Sequence, residues 1–500
     1  MKLNSSLLFL LILATTICTL TALSCGRNTP TPPKKDAPSS GNQLTVTVDF
    51  TSNLGSEADL NKELLGTYSP QKWINAAKIY DKANVLDPIS VPFHKVNLPN
   101  VDNIAADGTW NDIIDAGEPS QRSIFNLLKS AGVDIHVGIE SIPRTMRGDA
   151  TKVQRLFTTS LATIREYLGP DTEINYEILN EPELDASIEW GYHPNFELFW
   201  TDFKNAYIAL ANQRLTDPKV KIGGPGFELD IWLTSFMEKL NNPETNTVSL
   251  ADGSTQPIIL DFISYHNYFN WGDESLAQLT AEAAVDKMNI FYNGIAAYKA
   301  VYPSVKLYLT EYSWLKSPFD KINDAANNSH RHCARTLELI KIANERLTRV
   351  DRFYWAQAMG QSADFGDDYF TLENFDWGSG TYKYRSGYYA FWIYQQLPKE
   401  RNTMIYDVDK LNGLASSSTD GKYYVVLWNR SDLSQTIKLH LTHINANDFN
   451  YDMYLINSAS FSYFNGNNKT PTLTKSGVAN TIDDIVLEKE ATVFLTFTRK

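Results

Sequence analysis

From residue 62 onward the chain alternates short β-rich runs with longer stretches whose apolar positions recur every three to four residues. The runs 62–69, 94–100, 133–141 and 174–183 are predicted strands, as are 219–227, 261–269, 305–314 and 352–359. Between them, Val153, Leu156, Phe157, Leu161, Ile164 and Leu168 make a helical stripe that Gly169-Pro170 stops. Leu337, Ile340 and Leu347 mark one face of another helix, over 329–347. Strand–helix alternation repeated eight times predicts a parallel sheet with helices outside, and eight strands are enough to close a barrel. After Leu397 the pattern changes. Segments 422–429, 436–443, 453–461 and 491–498 alternate at period two between clusters of Asn, Asp, Gly and Ser, which predicts an antiparallel β-sandwich. The predicted fold class is α/β, a (β/α)8 TIM barrel over 62–395 followed by a C-terminal antiparallel β-sandwich over 396–500. The segment 44–61 opens on a strand of sandwich character and is expected to pair with that domain. Gly223-Gly224-Pro225 reads as a strand-end turn rather than a phosphate-cradling loop.

The N-terminal pattern is different again. Lys2, the apolar run Leu7 to Ala14 and small residues up to Ser24-Cys25-Gly26 describe an export signal over 1–24, too short to span a bilayer. Ala22-Leu23-Ser24 before Cys25 has the character of a lipobox, so Cys25 is the expected lipidation site of a bacterial lipoprotein. The alternative is an ordinary cleaved signal with an incidental cysteine. Residues 25–43, rich in Pro, Thr, Ser and Lys, are then a tether that cannot pack a core. The expected location is periplasmic or cell-surface, with membrane contact only through the anchor.

Composition narrows the function classes. An aromatic fraction of 12% and a mean hydropathy of −0.31 exclude both a disordered chain and a multi-span membrane protein. With 45 basic against 58 acidic residues the formal charge is −13, which argues against a general nucleic-acid binder. Three cysteines cannot build a disulfide framework, and Cys333 reads as a buried helix residue.

The chemistry lies at two strand ends. The fourth predicted strand closes on Asn180-Glu181-Pro182 and the seventh on Thr310-Glu311-Tyr312, which puts a glutamate at each strand-to-loop transition on the C-terminal face. Paired carboxylates suit glycoside hydrolysis. One carboxyl stays protonated and donates to the leaving oxygen, while the other stays ionised and attacks the anomeric carbon. The retaining reaction wants the pair about 5–5.5 Å apart and the inverting one roughly 6.5–9.5 Å.

Asn180-Glu181-Pro182 and Glu311 resemble the clan A glycoside hydrolases. More narrowly, the chain resembles glycoside hydrolase family 39, the β-xylosidase and α-L-iduronidase family. The similarity runs through Gly223-Gly224-Pro225, Asp261 to His266, Leu309-Thr310-Glu311 and Tyr354-Trp355, over roughly residues 90–430. The resemblance implies that Glu181 is the acid/base and Glu311 the nucleophile of a retaining double displacement. It implies that Asn180 contacts the sugar 2-hydroxyl, that His266 and Tyr268 are polar contacts, and that Trp355 floors the −1 subsite. Tyr268 is expected to keep the Glu311 carboxylate ionised. Ordinary barrel packing is the competing reading for His266 and Trp355. The chain departs from the family where Lys95-Val96-Asn97 replaces an Arg-x-His pair, and where Glu183 follows the acid/base in place of Asn. Lys95 and Asn97 are therefore candidate substrate contacts of altered character.

Weaker signals complete the reading. Glu140 ends the third strand and is a candidate ligand contact, whereas Glu177 reads as structural. No metal site and no cofactor are expected. The histidine pairs His330/His332 and His440/His443 lack a plausible ligand set, and the acidic run Asp364, Asp367, Asp368 and Glu373 reads as a solvated loop. Trp190, Tyr192, Trp271, Trp314 and Trp377 are candidates to line a glycan groove. The expected partner is an oligosaccharide or polysaccharide, with a β-xyloside in a plant-type glycan first. Glucan, galactan or uronic-acid specificity, and a catalytically silent surface glycan-binding lipoprotein, are the alternatives.

Overall fold

The computed structural model describes residues 43–70, 92–98, 104–110, 121–139, 141–184, 193–270, 276, 279–315, 330–356, 359–361, 372–376, 381–384, 386–460 and 470–500. The signal, the tether up to residue 42, Cys25 and Glu140 lie outside these residues, as do the loop aromatics Trp190, Tyr192, Trp271 and Trp377, the side chains of Asn97, Trp314 and Glu373, and the aspartates 364, 367 and 368.

The first strand, β1 (Gln43–Asn53), precedes the barrel. Eight parallel strands then close on themselves: β2 (Leu65–Pro70), β3 (Phe93–Leu98), β4 (Asp134–Ile139), β5 (Ile174–Glu177), β6 (Val220–Phe227), β7 (Phe262–Asn270), β8 (Lys306–Leu315) and β9 (Arg352–Ala356). Each falls on one of the eight predicted runs. The helices include α1 (Gln121–Ala131), α2 (Ala150–Leu168), α3 (Phe196–Arg214), α4 (Leu233–Asn241), α5 (Glu282–Gly294), α6 (Arg331–Glu345) and α7 (Ser386–Gln396). Asp149 caps α2 by accepting from Lys152 N, and Gly169 ends it at φ 77°. The stripe read from the sequence is the buried face of α2, with Val153, Leu156, Phe157, Leu161, Ile164 and Leu168 all below 3% exposure.

Strand alternation divides the barrel residues into two sets. Phe93, Phe262, Tyr308 and Tyr354 pack together as an inner aromatic cluster, while Ile263, Leu307 and Leu309 join the larger core shared with the helices. The inner cluster fills the barrel below the polar site, so the barrel is a packed core and not a channel.

Eight further strands make a sandwich: β10 (Asn402–Ile405), β11 (Leu411–Ser417), β12 (Tyr423–Asn429), β13 (Gln435–Thr442), β14 (Phe449–Ile456), β15 (Lys475–Val478), β16 (Ile485–Leu487) and β17 (Thr492–Arg499). One sheet runs β10-β1-β13-β16 and the other β11-β12-β17-β14-β15. Val46, Val48, Leu427, Ile437, Val493 and Leu495 are among the residues buried between them. One pair departs from the antiparallel pattern, since β1 runs parallel to β13. The chain reaches β1 hundreds of residues before β13, so no hairpin forces the two strands to oppose one another.

The sandwich meets the barrel through α6 and α7. Trp392 packs edge-on against Phe494, and Glu338 accepts from Trp428 Nε1 at 2.7 Å and from Asn412 Nδ2 at 2.9 Å. Arg335 on α6 pairs with Glu490 at 2.7 Å, their side chains 6% and 0% exposed. Removing one member of a buried pair leaves the other charge uncompensated, typically at a cost of about 3–5 kcal/mol. Glu490→Ala is therefore expected to lower the thermal unfolding midpoint clearly, whereas Lys475→Ala in the exposed Lys475–Asp483 pair is expected to leave it nearly unchanged. Equal midpoints for the two variants would contradict the contact.

Candidate active site

The acid-bearing segment does not continue β5 as a strand. Pairing ends at Glu177, and Leu179 and Glu181 take φ values of 68° and 44°. L-residues adopt that region at a cost, and such conformations persist where surrounding structure fixes them. Here the neighbouring strands do so. Asn180 N donates to Ile139 O of β4 at 3.1 Å, Glu181 N to Gly226 O at 2.7 Å, and Gly226 N to Leu179 O at 3.0 Å. The predicted strand 174–183 is thus shorter than expected.

Gly223-Gly224-Pro225 is also corrected, from a strand-end turn to an irregular stretch inside β6, where the register shifts between Gly223 and Gly226. That shift brings the Gly226 backbone against the Asn180–Glu181 segment. Glycine is required at 226 because a Cβ would lie 2.8 Å from His266 Nε2 and 3.1 Å from Glu177 Oε1.

A second irregularity aims Glu311. Tyr308 faces the barrel interior and Leu309 the helices, so simple alternation would turn Glu311 outward. The register between β8 and β7 shifts between Leu309 and Glu311, which pairs Glu311 with His266 and turns its carboxyl inward. Tyr312 consequently points out and donates to Leu339 O of α6 at 2.8 Å.

The site assembles from these strand ends. Glu181, His266 and Glu311 each offer one ligand-type atom, and the three atoms lie within 4.8 Å of one another. His266 Nδ1 is 2.8 Å from Glu181 Oε1, and its Nε2 is 3.8 Å from Glu311 Oε1. Tyr268 donates to Glu311 Oε2. Lys95 is fully buried, with its Nζ 2.7 Å from Glu177, 3.2 Å from Asn180 Oδ1 and 3.6 Å from Glu311. The three clustered atoms could in principle ligate a cation. The Lys95 ammonium beside Glu311 already places a positive charge there and opposes a second one.

Burial sets the electrostatics. It pushes the Glu311 carboxyl up, and the Glu181 charge adds to that, while His266, Lys95 and the Tyr268 hydrogen bond pull the other way. The upward direction wins, so the expected Tyr268 contact forms without holding Glu311 below the ordinary range. Burial pushes His266 down and favours neutral imidazole, and it drives the Tyr268 phenol well up. Burial would also raise Glu177, but the Lys95 ammonium and His136 override it and hold that carboxyl well below its usual value. Glu183 is pushed up to about 8 by burial, reinforced by the Glu181 charge, although Leu229 N donates to it at 2.5 Å. At neutral pH a proton is thus favoured on Glu183, leaving it uncharged where the resemblance expects a neutral Asn.

The structure brings together Lys95, Asn180, Glu181, His266, Tyr268 and Glu311. It does not bring Trp355. That ring is 2% exposed and faces the helices, 6.3 Å from Tyr312 and 5.5 Å from Phe391 of α7. Trp355 is a core residue and not a sugar platform. On β9 the inward positions are Tyr354 and Ala356, a phase that follows from alternation once one residue is anchored.

Residues 167–344 match the family model described as glycosyl hydrolases family 39, a span that contains Glu181, His266 and Glu311. The match runs from the end of α2 to α6 and marks that part of the barrel as similar to glycosyl hydrolases of family 39. Solved structures share the fold at low identity. A family 39 β-xylosidase from Caulobacter crescentus superposes with a TM-score of 0.61 at 13% identity, covering 90% of this chain and 99% of that one. A family 39 enzyme from Xanthomonas axonopodis pv. citri gives 0.61 at 12%, covering 94% and 100%. A bacterial orthologue of human α-L-iduronidase gives 0.62 at 12%, covering 92% and 84%. A comparison with curated proteins finds no match.

Sequence reasoning missed two members of this site. Glu177, read as structural, is the nearest partner of Lys95, and His136 on β4 lies 3.4 Å from Glu177 and 3.0 Å from the Tyr354 hydroxyl. A signal was available: Glu177 and His136 both occupy inward phases of apolar strands, where an ionisable side chain needs a partner. Cys333 is buried, its thiol pushed up to about 12 by burial, which suits a packing role.

Proposed function

We propose that this protein is a retaining glycoside hydrolase in which Glu181 is the general acid/base and Glu311 the nucleophile. The observation that carries the reading is the proximity of the two carboxyl groups, with oxygens within 4.8 Å, each held by its own partner. That spacing suits direct attack by one carboxylate and leaves little room for the intervening water of an inverting reaction. In the first step a Glu311 oxygen bonds to the anomeric carbon as the glycosidic C–O bond breaks, and the Glu181 proton passes to the leaving oxygen. In the second, Glu181 takes a proton from water, the water oxygen bonds to the anomeric carbon, and Glu311 is released as carboxylate. Neutral His266 holds the Glu181 carboxyl in place without adding a permanent charge. Asn180, fixed by Lys95 and by the β4 backbone, is the candidate contact to the sugar 2-hydroxyl.

For the substrate we propose a β-linked plant-type glycan or oligosaccharide, with a β-xyloside first. The β-xylosidase likeness supports that order, and the iduronidase likeness keeps a uronic-acid glycoside as the second choice. Export and lipid anchoring through Cys25 belong to the same proposal and rest on the N-terminal sequence. The stereochemical test is proton NMR of hydrolysis of the best aryl glycoside found in a panel. The first-formed sugar is expected to keep the substrate's anomeric configuration, and initial release of the opposite anomer would overturn the mechanism.

A further inference from the structure

Glu177 has no place in the two steps above. It is completely buried, yet it holds the closest ion-pair contact to Lys95. The groups around this pair come from five strands. Lys95 is on β3 with the Tyr68 ring of β2 5.0 Å from its ammonium; His136 is on β4, His266 on β7 and Glu311 on β8. Asn180 lies just past β5, and Tyr354 on β9 touches the far nitrogen of His136.

One ammonium therefore stands between two carboxylates of different fate. When Glu311 bonds to the anomeric carbon it becomes an ester and loses its negative charge. Lys95 would then be a buried cation without a counter-charge unless a second carboxylate stayed ionised beside it, and an unpaired buried charge is costly. Glu177 meets that need, because substrate cannot reach it and it keeps its charge through the whole cycle.

We infer that Glu177 is a positioning residue that shares the Lys95 charge with the nucleophile, so that Lys95 stays compensated while Glu311 is esterified. The inference rests on the double-displacement reading through Glu311. Without Glu177 the ammonium pairs with Glu311 alone. The free enzyme and the released carboxylate are then stabilised relative to the glycosyl-enzyme. Formation of the intermediate slows, and its hydrolysis does not.

The test uses Glu177→Gln, with aryl glycosides of good and poor leaving groups. Expected are a fall in kcat/KM of about ten-fold or more, and a kcat on the most activated substrate within about three-fold of wild type, where hydrolysis of the intermediate limits turnover. The acidic limb of the kcat/KM profile should move to lower pH, because Glu311 loses a neighbouring negative charge and gains the whole cation. Equal losses in both parameters, or an unmoved limb, would overturn the inference. The double variant Lys95→Met/Glu177→Gln removes both buried charges and guards against a misfolded single variant. Its acidic limb should lie above that of wild type, and a limb at or below wild type would also overturn the inference. Trapping of wild type with an activated 2-deoxy-2-fluoro glycoside separates the two ideas. A label on a residue other than Glu311 sinks both, whereas a label on Glu311 with an unmoved limb sinks only the role of Glu177.

Discussion

Glu311→Gln is expected to lose on the order of 10⁴-fold or more in kcat/KM on every aryl glycoside the wild type cleaves, because an amide cannot form the glycosyl ester. The variant isolates chemistry from folding. Glutamine keeps the shape of the side chain, offers an oxygen to Tyr268, and leaves Lys95 its closer partner Glu177. The secondary-structure circular dichroism and the unfolding midpoint should therefore stay near wild type while turnover disappears. Initial rates measured at several pH values decide it. Activity within ten-fold of wild type would remove Glu311 from the nucleophile's role, and absence of turnover in the wild type itself would favour the silent glycan-binding reading.

The second large effect belongs to Glu181. With Glu181→Ala, substrates bearing poor leaving groups are expected to slow by about 10²–10⁴-fold, since no acid protonates the departing oxygen. Activated aryl glycosides need little protonation, so they should still load the enzyme and then stall, because no base activates water. Azide needs no base. It should restore turnover and release a glycosyl azide with the substrate's anomeric configuration, detectable by chromatography and NMR. The shortened side chain beside His266 gives the anion its space. A variant that azide does not accelerate on any substrate would contradict the acid/base assignment.

Both predictions rest on positions that could be read before any fold was known, but not on all that surrounds them. Glu181 and Glu311 stand out because an apolar run ends at each, and strand propensity and period are local properties of the chain. The same logic failed for Trp355. Its place near a strand end was legible, but its direction depended on which neighbour anchored the phase, and the neighbouring Tyr354 and Ala356 hold the inward positions. It also could not foresee that β8 shifts register before Glu311, since strict alternation would have turned that carboxyl toward the helices. Glu183 was legible as a departure from the family pattern. Its neutrality near pH 7 comes from burial beside Glu181, a property of the assembled loop.

The order of eight barrel strands, the helical stripes between them, the β-rich end of the chain and the two strand-end glutamates were determined by the sequence alone. Each is written in spacings of two to four residues, and local sterics and hydrophobic burial act at that range. Tertiary structure decided the rest. It placed Lys95 of β3 against Glu177 of β5 and Glu311 of β8, seated the strained Leu179–Glu181 segment on Gly226, and brought β1 into the sandwich beside β13. Charge and proton affinity depend on which groups lie within a few ångströms in a water-free interior, and there the neighbours are set by strand closure, not by distance along the chain.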